Sequence, residues 1–560
     1  MSALSELIRE AFSDYAIYKD KSANSLFAGR TLPNFVKDYV LNRFSNGEER
    51  DDEAIRKYLD EKMPVDANDI QMRLMDGEIV NITTKVVVLP DMGTGKVAFA
   101  LPELSLNSKM YIGTKVLKEC RDELTEGENW GNLTMQYMPP EGRKSGYVLM
   151  TSFKTFNPYS NLNFDQLTEC RKGFSIDEWI DVILATMGYE PDVFPTMESK
   201  FMMISRLLPM VQPNLNFIEL GPKASGKSFV YNNLSPHVRM ISGKATRAQL
   251  VYNHSTKQYG AIKYNDLIVF DEVTTLEFDD RTQELQNFLK SFLEAGHASL
   301  ANVRLASSCG IGLAGNIALT EELKPVNNEY VTLLPDIFRT SAMLDRFHLF
   351  IPGWLVPKIS EGQLYYGWAI DNEVFSEYMH YLRRQSYIEA LFDELVTYDK
   401  TTAYVRHVRS VKKVASAYCK LLFPHVKSLA DLTEEELEIF KILYRDYCLV
   451  PAIEARTYIY NELKAIDAEF RASTNAIPDF QIPIEEQLPE DELPEDELPE
   501  DELPEDELPE DELPDDESEV DGDEYELPDD DEIEPEDDQD NPQDDVEIEI
   551  DDEEVKQTGL

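Results

Sequence analysis

The apolar positions of this chain change period several times, and each change predicts a different kind of element. In the first sixty residues they recur at helical spacing: Leu4, Leu7, Ile8 and Phe12 form one face, and Phe35, Tyr39, Val40 and Phe44 another. From Glu78 to Leu104 the texture turns β-rich, with VNITTKVVVLP and KVAFALPEL on either side of the turn DMGTG. YIGTKVLKEC reads as a short helix, and LTMQYMPP and SGYVLMTSF as strands around PPEGRKSG. This predicts a small α+β or barrel-like unit ending near residue 160. Two helices follow, over IDEWIDVILATMG and KFMMISRLLPMV. The strand NFIEL then runs into GPKASGKS. From there strands alternate with helices to about residue 355, as in a parallel sheet with helices on both faces. Residues 373–472 read as wholly helical, a lid or bundle.

Composition sharpens the picture at the carboxyl end. The 560 residues carry 53 Lys+Arg and 107 Asp+Glu, a net charge of −54. From Glu485 to Leu560 there are 42 acids and one base, Lys556, so that segment holds −41 and residues 1–484 hold −13. The excess is one tail on a mildly acidic body, and it says little about what the body binds. Within the tail LPEDE starts at Leu488, Leu493, Leu498, Leu503 and Leu508, and LPDDE at Leu513. Proline every fifth residue forbids a stable helix and like charges keep the chain extended, so the tail is expected to be disordered. It reads as a solubilising spacer, or as a polyanion competing with DNA for a basic channel. Five cysteines (Cys120, Cys170, Cys309, Cys419, Cys448) lie far apart with no CxxC, as expected of free thiols in a reducing compartment. No run approaches the 18 apolar residues of a membrane span, and Glu6, Arg9 and Glu10 interrupt the start. A soluble cytoplasmic protein that meets no membrane is expected.

The chemistry centres on Gly221-Pro222-Lys223-Ala224-Ser225-Gly226-Lys227-Ser228, which fits GxxxxGK[ST] between an apolar strand and a following helix. Such a loop curls backbone amides around phosphate, Lys227 reaching the β- and γ-phosphates of ATP and Ser228 ligating Mg²⁺. An apolar strand ending in acids should complete the site, and Leu267–Phe270 followed by Asp271 and Glu272 supplies it. Asp271 is the second metal residue and Glu272 the group that polarises the attacking water. Asn316, at the tip of the small-residue strand CGIGLAGN, either orients that water or is a turn residue. HASLANVRLAS reads as a hairpin, with His297 and Arg304 as substrate-contacting or merely solvated positions. Arg346, in LDRF, is either a finger that reaches a neighbouring subunit's γ-phosphate or one half of a surface ion pair. Arg406, Arg409, Lys412 and Lys413 recur at helical spacing, either to touch nucleotide from the lid or to offset the acidic tail.

The order phosphate loop, DE strand, GN strand, DRF and lid arginine resembles that of AAA+ ATPases. More closely, FSIDEWIDVILATMGYEP, RLLPMVQPNLNFIELGPKASGKSFVYNNLSP, LIVFDEVTTLEF, LDRFHLFIPGWLVPK and VRHVRSVKKVASAYCKLLFPH resemble the Lon-like BrxL family of bacterial and archaeal BREX phage-defence systems. A weaker likeness, YAIYKDKSANSLFAGRTLPNFVKDYVLNRF, lies near the amino terminus. The resemblance spans roughly residues 10–425. It implies an α/β fold: a P-loop AAA+ ATPase core at 173–365, behind an α+β, DNA-binding amino-terminal domain at 1–165. A helical lid at 366–475 completes it, and the acidic tail at 476–560, expected from its composition to be disordered, is where the chain departs from the family. It implies an MCM-like ring, a hexamer or two stacked rings, that binds double-stranded DNA and other BREX proteins and hydrolyses ATP between subunits. In that mapping Asn316 is the first sensor, Arg346 the trans-acting finger and Arg406 the lid arginine. Longer relatives carry a protease-type domain with a Ser–Lys pair; here helices and the tail follow residue 425, so proteolysis is not expected. The regions 276–308 and before DRF diverge from the family, which leaves a protein-remodelling ATPase or adaptor recruited through the tail as the competing reading.

Overall fold

Ser2 caps the first helix by accepting the Ser5 amide, and α1 (Ala3–Phe12) turns Ile8 and Phe12 inward while Leu7 stays exposed, because only one side of the helix is covered. The computed structural model describes residues 2–484, apart from residues 31, 48, 92–95, 107–108, 121–123, 125–127, 141, 143–144, 156–161, 255–257, 279–281, 301, 327–329 and 473–474. The LPEDE repeats lie outside the described residues. After α1 the chain runs extended as β1 (Ala16–Lys19) and pairs antiparallel with Gly367–Ile370, more than three hundred residues away. The first residues, assigned from sequence to an amino-terminal domain, therefore belong to the body that surrounds the parallel sheet. Nothing local predicts this, since β1 is only four residues long and its partner is remote.

Helices α2 (Asn34–Arg43), α3 (Asp52–Lys62) and α4 (Ala67–Met75) lead to a closed barrel. Its strands are β2 (Val80–Asp91), β3 (Lys96–Ala100), β4 (Met110–Ile112), β5 (Glu128–Met138) and β6 (Tyr147–Thr155). The order is β2-β3-β4-β6-β5, closed by β2 on β5. The β4–β6 pair is parallel, and the short helix α5 (Thr114–Glu119) sits between β4 and β5. This is the connectivity of the oligonucleotide/oligosaccharide-binding barrel. YIGTKVLKEC, read from sequence as a helix, divides: Met110–Ile112 is recruited as a strand by β3 and β6, and Gly113 starts the helix. Val80, Ile82, Phe99, Leu133 and Met150 fill the interior.

After α6 (Phe164–Arg171), α7 (Ile176–Met187) opens on a capping box in which Ser175 and Glu178 satisfy each other's amides, a device worth about 1 kcal/mol. Trp179 anchors it, its indole N–H donating to the Leu421 carbonyl at 2.9 Å. KFMMISRLLPMV is not one helix: α8 (Met197–Ile204) tightens into a 3₁₀ turn at Ser205–Leu207 before Leu208–Val211. Pro209 falls in the first turn of that last piece, where its missing N–H is tolerated.

The parallel sheet comprises β7 (Phe217–Gly221), β8 (Val238–Ile241), β9 (Leu267–Phe270), β12 (Gly310–Asn316) and β13 (Leu349–Pro352), in the order β8-β9-β12-β7-β13. Helix α9 (Lys227–Asn233) follows β7. Between β9 and β12 come α10 (Thr282–Ala295) and the predicted hairpin, β10 (His297–Leu300) with β11 (Val303–Ala306). Both faces of the sheet are buried. Phe217, Val269, Ala314 and Ile351 point into one core, while Ile218, Phe270, Leu313 and Phe350, their neighbours in the strands, point into the other. Strand β14 (Gly367–Ile370) closes on β1, and helices follow: α11 (Asn372–Arg383), α12 (Tyr387–Leu395), α13 (Val405–Leu422), α14 (Glu434–Tyr444) and α15 (Val450–Ile466). Residues 476–484, counted with the tail from sequence, are docked. Gln481 bridges to Thr397, and Phe480 packs edge-on against Phe392 and Tyr398. Ile477 and Ile482 add apolar contacts to the same core, so the attachment combines a backbone bridge with apolar burial just before the acidic run. No helix among the described residues is long and apolar enough to cross a membrane.

Candidate functional site

The GPKASGKS loop leaves the carboxyl end of β7 and turns on two left-handed positions, Ala224 at φ 64° and Gly226 at φ 78°. Gly226 has a second reason to be glycine: a Cβ there would lie 2.6 Å from the Tyr189 hydroxyl. Gly221 passes so close to Gly353 that a Cβ would meet Gly353 backbone atoms at 2.8 Å. The IPGW turn after β13 is thus packed directly beneath the loop. The loop is folded on its own lysine: Lys227 Nζ donates to the carbonyls of Gly221 (3.1 Å) and Pro222 (2.8 Å) and to Ser225 Oγ (3.3 Å). Burial lowers the Lys227 pKa, Glu219 and Asp271 opposing that shift.

Beneath the loop lies a brace that sequence reasoning missed. Arg206 is fully buried and donates to Glu219 Oε1 through Nε (3.0 Å) and a terminal nitrogen (2.7 Å). Its other terminal nitrogen holds the Ser225 carbonyl at 2.9 Å. The Tyr231 hydroxyl donates to Glu219 Oε2 at 2.9 Å. Burial is the largest single influence on the Arg206 pKa and pulls it down, but the Glu219 charge and hydrogen bond, together with Tyr231 and Tyr189, leave the net shift upward. The only signal in the sequence was Glu219 in the middle of the apolar strand NFIEL, a buried charge that demands a partner.

The acids arrive beside the loop because β8, β9 and β12 are in register. The Asp271 amide donates to the Ile241 carbonyl (2.9 Å) and its Oδ1 accepts the Glu272 amide (2.9 Å). Asp271 Oδ2 accepts from Ser228 Oγ at 2.9 Å. Glu272 sits at φ 48°, a conformation that costs a side-chain-bearing residue of order 1–3 kcal/mol and clusters at functional sites. Its carboxylate is exposed beside Asp271. Asn316 is directly opposite Gly221 in the β12–β7 register, and the next amide, Ile317, donates to the Gly221 carbonyl. Lys227, Ser228, Asp271, Glu272 and Asn316 are therefore brought together at one end of the sheet. Two hydroxyl and carboxylate oxygens 2.9 Å apart suit a hard divalent cation such as Mg²⁺.

Arg346 and Arg406 are not part of this cluster. Asn216, at the start of β7, holds the Arg346 carbonyl through Nδ2 (3.1 Å), which places Arg346 at the opposite end of a five-residue strand, about 16 Å long. Arg406, matched from sequence to a nucleotide-touching lid residue, lies with it: both guanidiniums flank Glu294, at 3.5 Å for Arg346 and 3.3 Å for Arg406, and Arg409 joins at 2.5 Å. Arg406 also pairs with Asp345 Oδ2 at 2.8 Å, and the buried Arg456 with Asp345 Oδ1. The rest of the predicted basic face is internally used: Lys412 pairs with Asp393 at 2.6 Å, and Lys413 donates to the Asn214 carbonyl, its pKa pushed down to about 8 by burial. His297 and Arg304 are both exposed on the β10–β11 hairpin.

Comparison with known proteins agrees with the geometry. Residues 148–476 match the family described as Lon-like protease BrxL-like, ATPase domain, and residues 10–137 match BREX system Lon protease-like protein BrxL N-terminal. A Lon-like protease BrxL of Escherichia coli O9:H4 (strain HS) is 26% identical over 502 residues, covering 86% of this chain and 69% of that protein. One from Bacillus cereus (strain H3081.97) is 25% identical over 446 residues, covering 78% of this chain and 65% of that protein. Uncharacterized protein 440 of Sulfolobus islandicus rod-shaped virus 1 is 25% identical over 192 residues, 30% of this chain and 42% of its own length.

Proposed function

The chain belongs to the BrxL family, with that family's ATPase domain, and from this premise we propose that it is an AAA+ ATPase that hydrolyses Mg²⁺-ATP between subunits of a ring and acts on duplex DNA in phage defence. The observation that carries the reading is the convergence of Lys227, Ser228, Asp271, Glu272 and Asn316 at the carboxyl end of β7, β9 and β12. The strand order, with the phosphate-loop strand between the fourth and fifth, supports the AAA+ assignment.

The lysine's three oxygen partners are weak acceptors that a triphosphate replaces, and the loop amides of residues 223–228 add neutral donors. Ser228 and Asp271 would hold Mg²⁺, which supplies charge neutralisation at the β- and γ-phosphates. Glu272 takes up proton density from the water that attacks γ-phosphorus, Asn316 orients that water, and ADP and phosphate leave. Arg346 serves the site of an adjacent copy, where its fork offsets charge gathered on the γ-phosphoryl oxygens, and Arg406, beside it, works across the same boundary. Peptidase activity is not part of this reading, since the matched segments are the ATPase and amino-terminal regions.

Two features support DNA as the substrate. The barrel has oligonucleotide-binding connectivity. On its second, third and fifth strands, Lys96 Nζ lies over the rings of Tyr111 (4.6 Å) and Tyr147 (5.3 Å), a cation-and-aromatic surface of the kind that stacks bases and contacts phosphate. The test is ATP turnover of the full chain, with and without duplex DNA, for wild type, Glu272→Gln and a truncation after residue 484. Stimulation by DNA that disappears in Glu272→Gln is expected, with tighter DNA binding after truncation if the tail competes for the channel. No DNA effect in any protein would overturn the DNA motor and leave the protein-remodelling alternative.

A further inference from the structure

Away from the phosphate loop, at the amino-terminal edge of the sheet, two histidines and two carboxylates meet without any part in nucleotide chemistry. His237 immediately precedes β8 and Asp266 immediately precedes β9, and the pairing of those strands sets them side by side, the Asp266 amide donating to the His237 carbonyl at 2.9 Å. Helix α11 crosses this edge and presents Glu377 and His380 one turn apart. The imidazoles of His237 and His380 stack with centroids 4.3 Å apart and planes at 19°. His380 Nδ1 lies 2.5 Å from Asp266 Oδ2, and His237 Nε2 lies 2.9 Å from Glu377 Oε1. One donor atom from each of His237, Asp266 and His380 falls within 4.8 Å of the others.

The geometry points to a zinc-class divalent metal site with His237, Asp266 and His380 as ligands and Glu377 as the carboxylate that anchors His237. Four properties support it. Tetrahedral ligands about 2.0–2.1 Å from zinc lie roughly 3.3 Å from one another, so small rotations within this cluster suffice. Imidazole nitrogen selects zinc and its neighbours over magnesium or calcium. Two carboxylates offset the ion's two charges. The side chains are 12% to 30% exposed, which leaves an entry path from solvent. Arg383 already orients Asp266: its Nε lies 3.4 Å from Oδ1, and its terminal nitrogens are spent on backbone carbonyls, so Oδ2 is the oxygen turned to the site.

One contact competes. Arg384 donates to His380 Nε2 at 2.7 Å, which puts the ring proton on Nδ1 facing Asp266. Ligation through Nδ1 moves that proton to Nε2, with no net proton released from the ring, and the exposed Arg384 side chain withdraws. A bound ion would clamp α11 to the edge of β8 and β9, joining the helical region to the sheet independently of nucleotide.

The test is zinc titration of the chelator-stripped full chain against a chromophoric zinc indicator, with thermal melting in parallel. One zinc per chain at micromolar affinity or tighter and a raised melting temperature are expected. His237→Gln/His380→Gln removes two of the three ligands, a larger loss than the about 10–100-fold of a partner that only orients a ligand, and should abolish micromolar uptake. Arg384→Gln should tighten it several-fold. The double variant keeps all five cysteines, so equal uptake by it and wild type overturns the site, as does no uptake by wild type. Cobalt(II) substitution of wild type reads the ligands without a variant: visible bands without thiolate charge transfer support the nitrogen and oxygen set, and thiolate bands overturn it.

Discussion

The two ends of the parallel sheet carry opposite kinds of chemistry. At the carboxyl end, Lys227, Ser228, Asp271, Glu272 and Asn316 form a centre whose members touch or face one another within one chain. At the other end, Arg346, Arg406 and Arg409 gather on a single Glu294, three positive charges on one acid, where no phosphate-binding loop of the same chain reaches. In the proposed reading, the first end lacks only a positive charge on the far side of the γ-phosphate. The second offers such charges in surplus. Under the proposed function the two ends are half-sites of a head-to-tail assembly, in which each boundary joins unlike faces.

Breaking either half should have the same consequence. Arg346→Ala and Glu272→Gln are each expected to lower kcat by about 10³-fold while nucleotide still binds, measured by steady-state turnover and nucleotide titration. Mixing the two variants should restore measurable turnover, since some boundaries then join an intact Glu272 to an intact Arg346. A mixture as inactive as its components would show that the arginine does not act across a boundary. Arg346→Lys should not rescue, because a point charge lacks the planar fork.

The arginine end should also be the more expensive to damage structurally. Asp345 is buried between Arg456, Arg406 and the Tyr404 hydroxyl, and Asp345→Ala leaves the fully buried Arg456 unpaired. A loss of about 3–5 kcal/mol in urea unfolding is expected. At the loop end the weak point is backbone packing: Gly221→Ala puts a methyl 2.8 Å from Gly353 and should cost about 1–3 kcal/mol, with weaker nucleotide binding.

The smallest effect is a pH dependence of stability. His407, against Arg456, is held at about 3 by burial and then by that charge; His425 is held at about 4 by burial and then by Arg171. Both stay neutral in the folded chain, while the unfolded chain takes up their protons below about pH 6.5. Their contribution is complete above that value and is lost as pH falls toward 4, by up to about 1.4 kcal/mol per pH unit for each histidine. Urea midpoints at pH 7.5 and 5 should differ less in His407→Gln than in wild type.

The loop end was legible in the sequence because its chemistry is written in short contiguous motifs. GPKASGKS, the DE after an apolar strand and the GN after another each need only local spacing, and parallel register places them side by side. The arginine end was only half legible. DRF and VRHVRSVKK marked the residues, but their common anchor Glu294 lies on α10, fifty residues before Arg346, and no period links the two. The same limit hid the Arg206–Glu219–Tyr231 brace, the pairing of β1 with β14 and the histidine pair at the sheet edge.

By itself, then, the sequence determined the parallel sheet, the phosphate loop with its acids, and the split of charge into a −13 body and a −41 tail, since these depend on periodicity, short motifs and composition. Tertiary structure alone decided the closure of the barrel, with Met110–Ile112 drawn into it as a strand, the docking of residues 476–484 through Gln481 and Phe480, and the gathering of Arg406 with Arg346 and Arg409 on Glu294. Each of those rests on contacts between residues far apart in the chain, where burial and charge pairing override what the local pattern prefers.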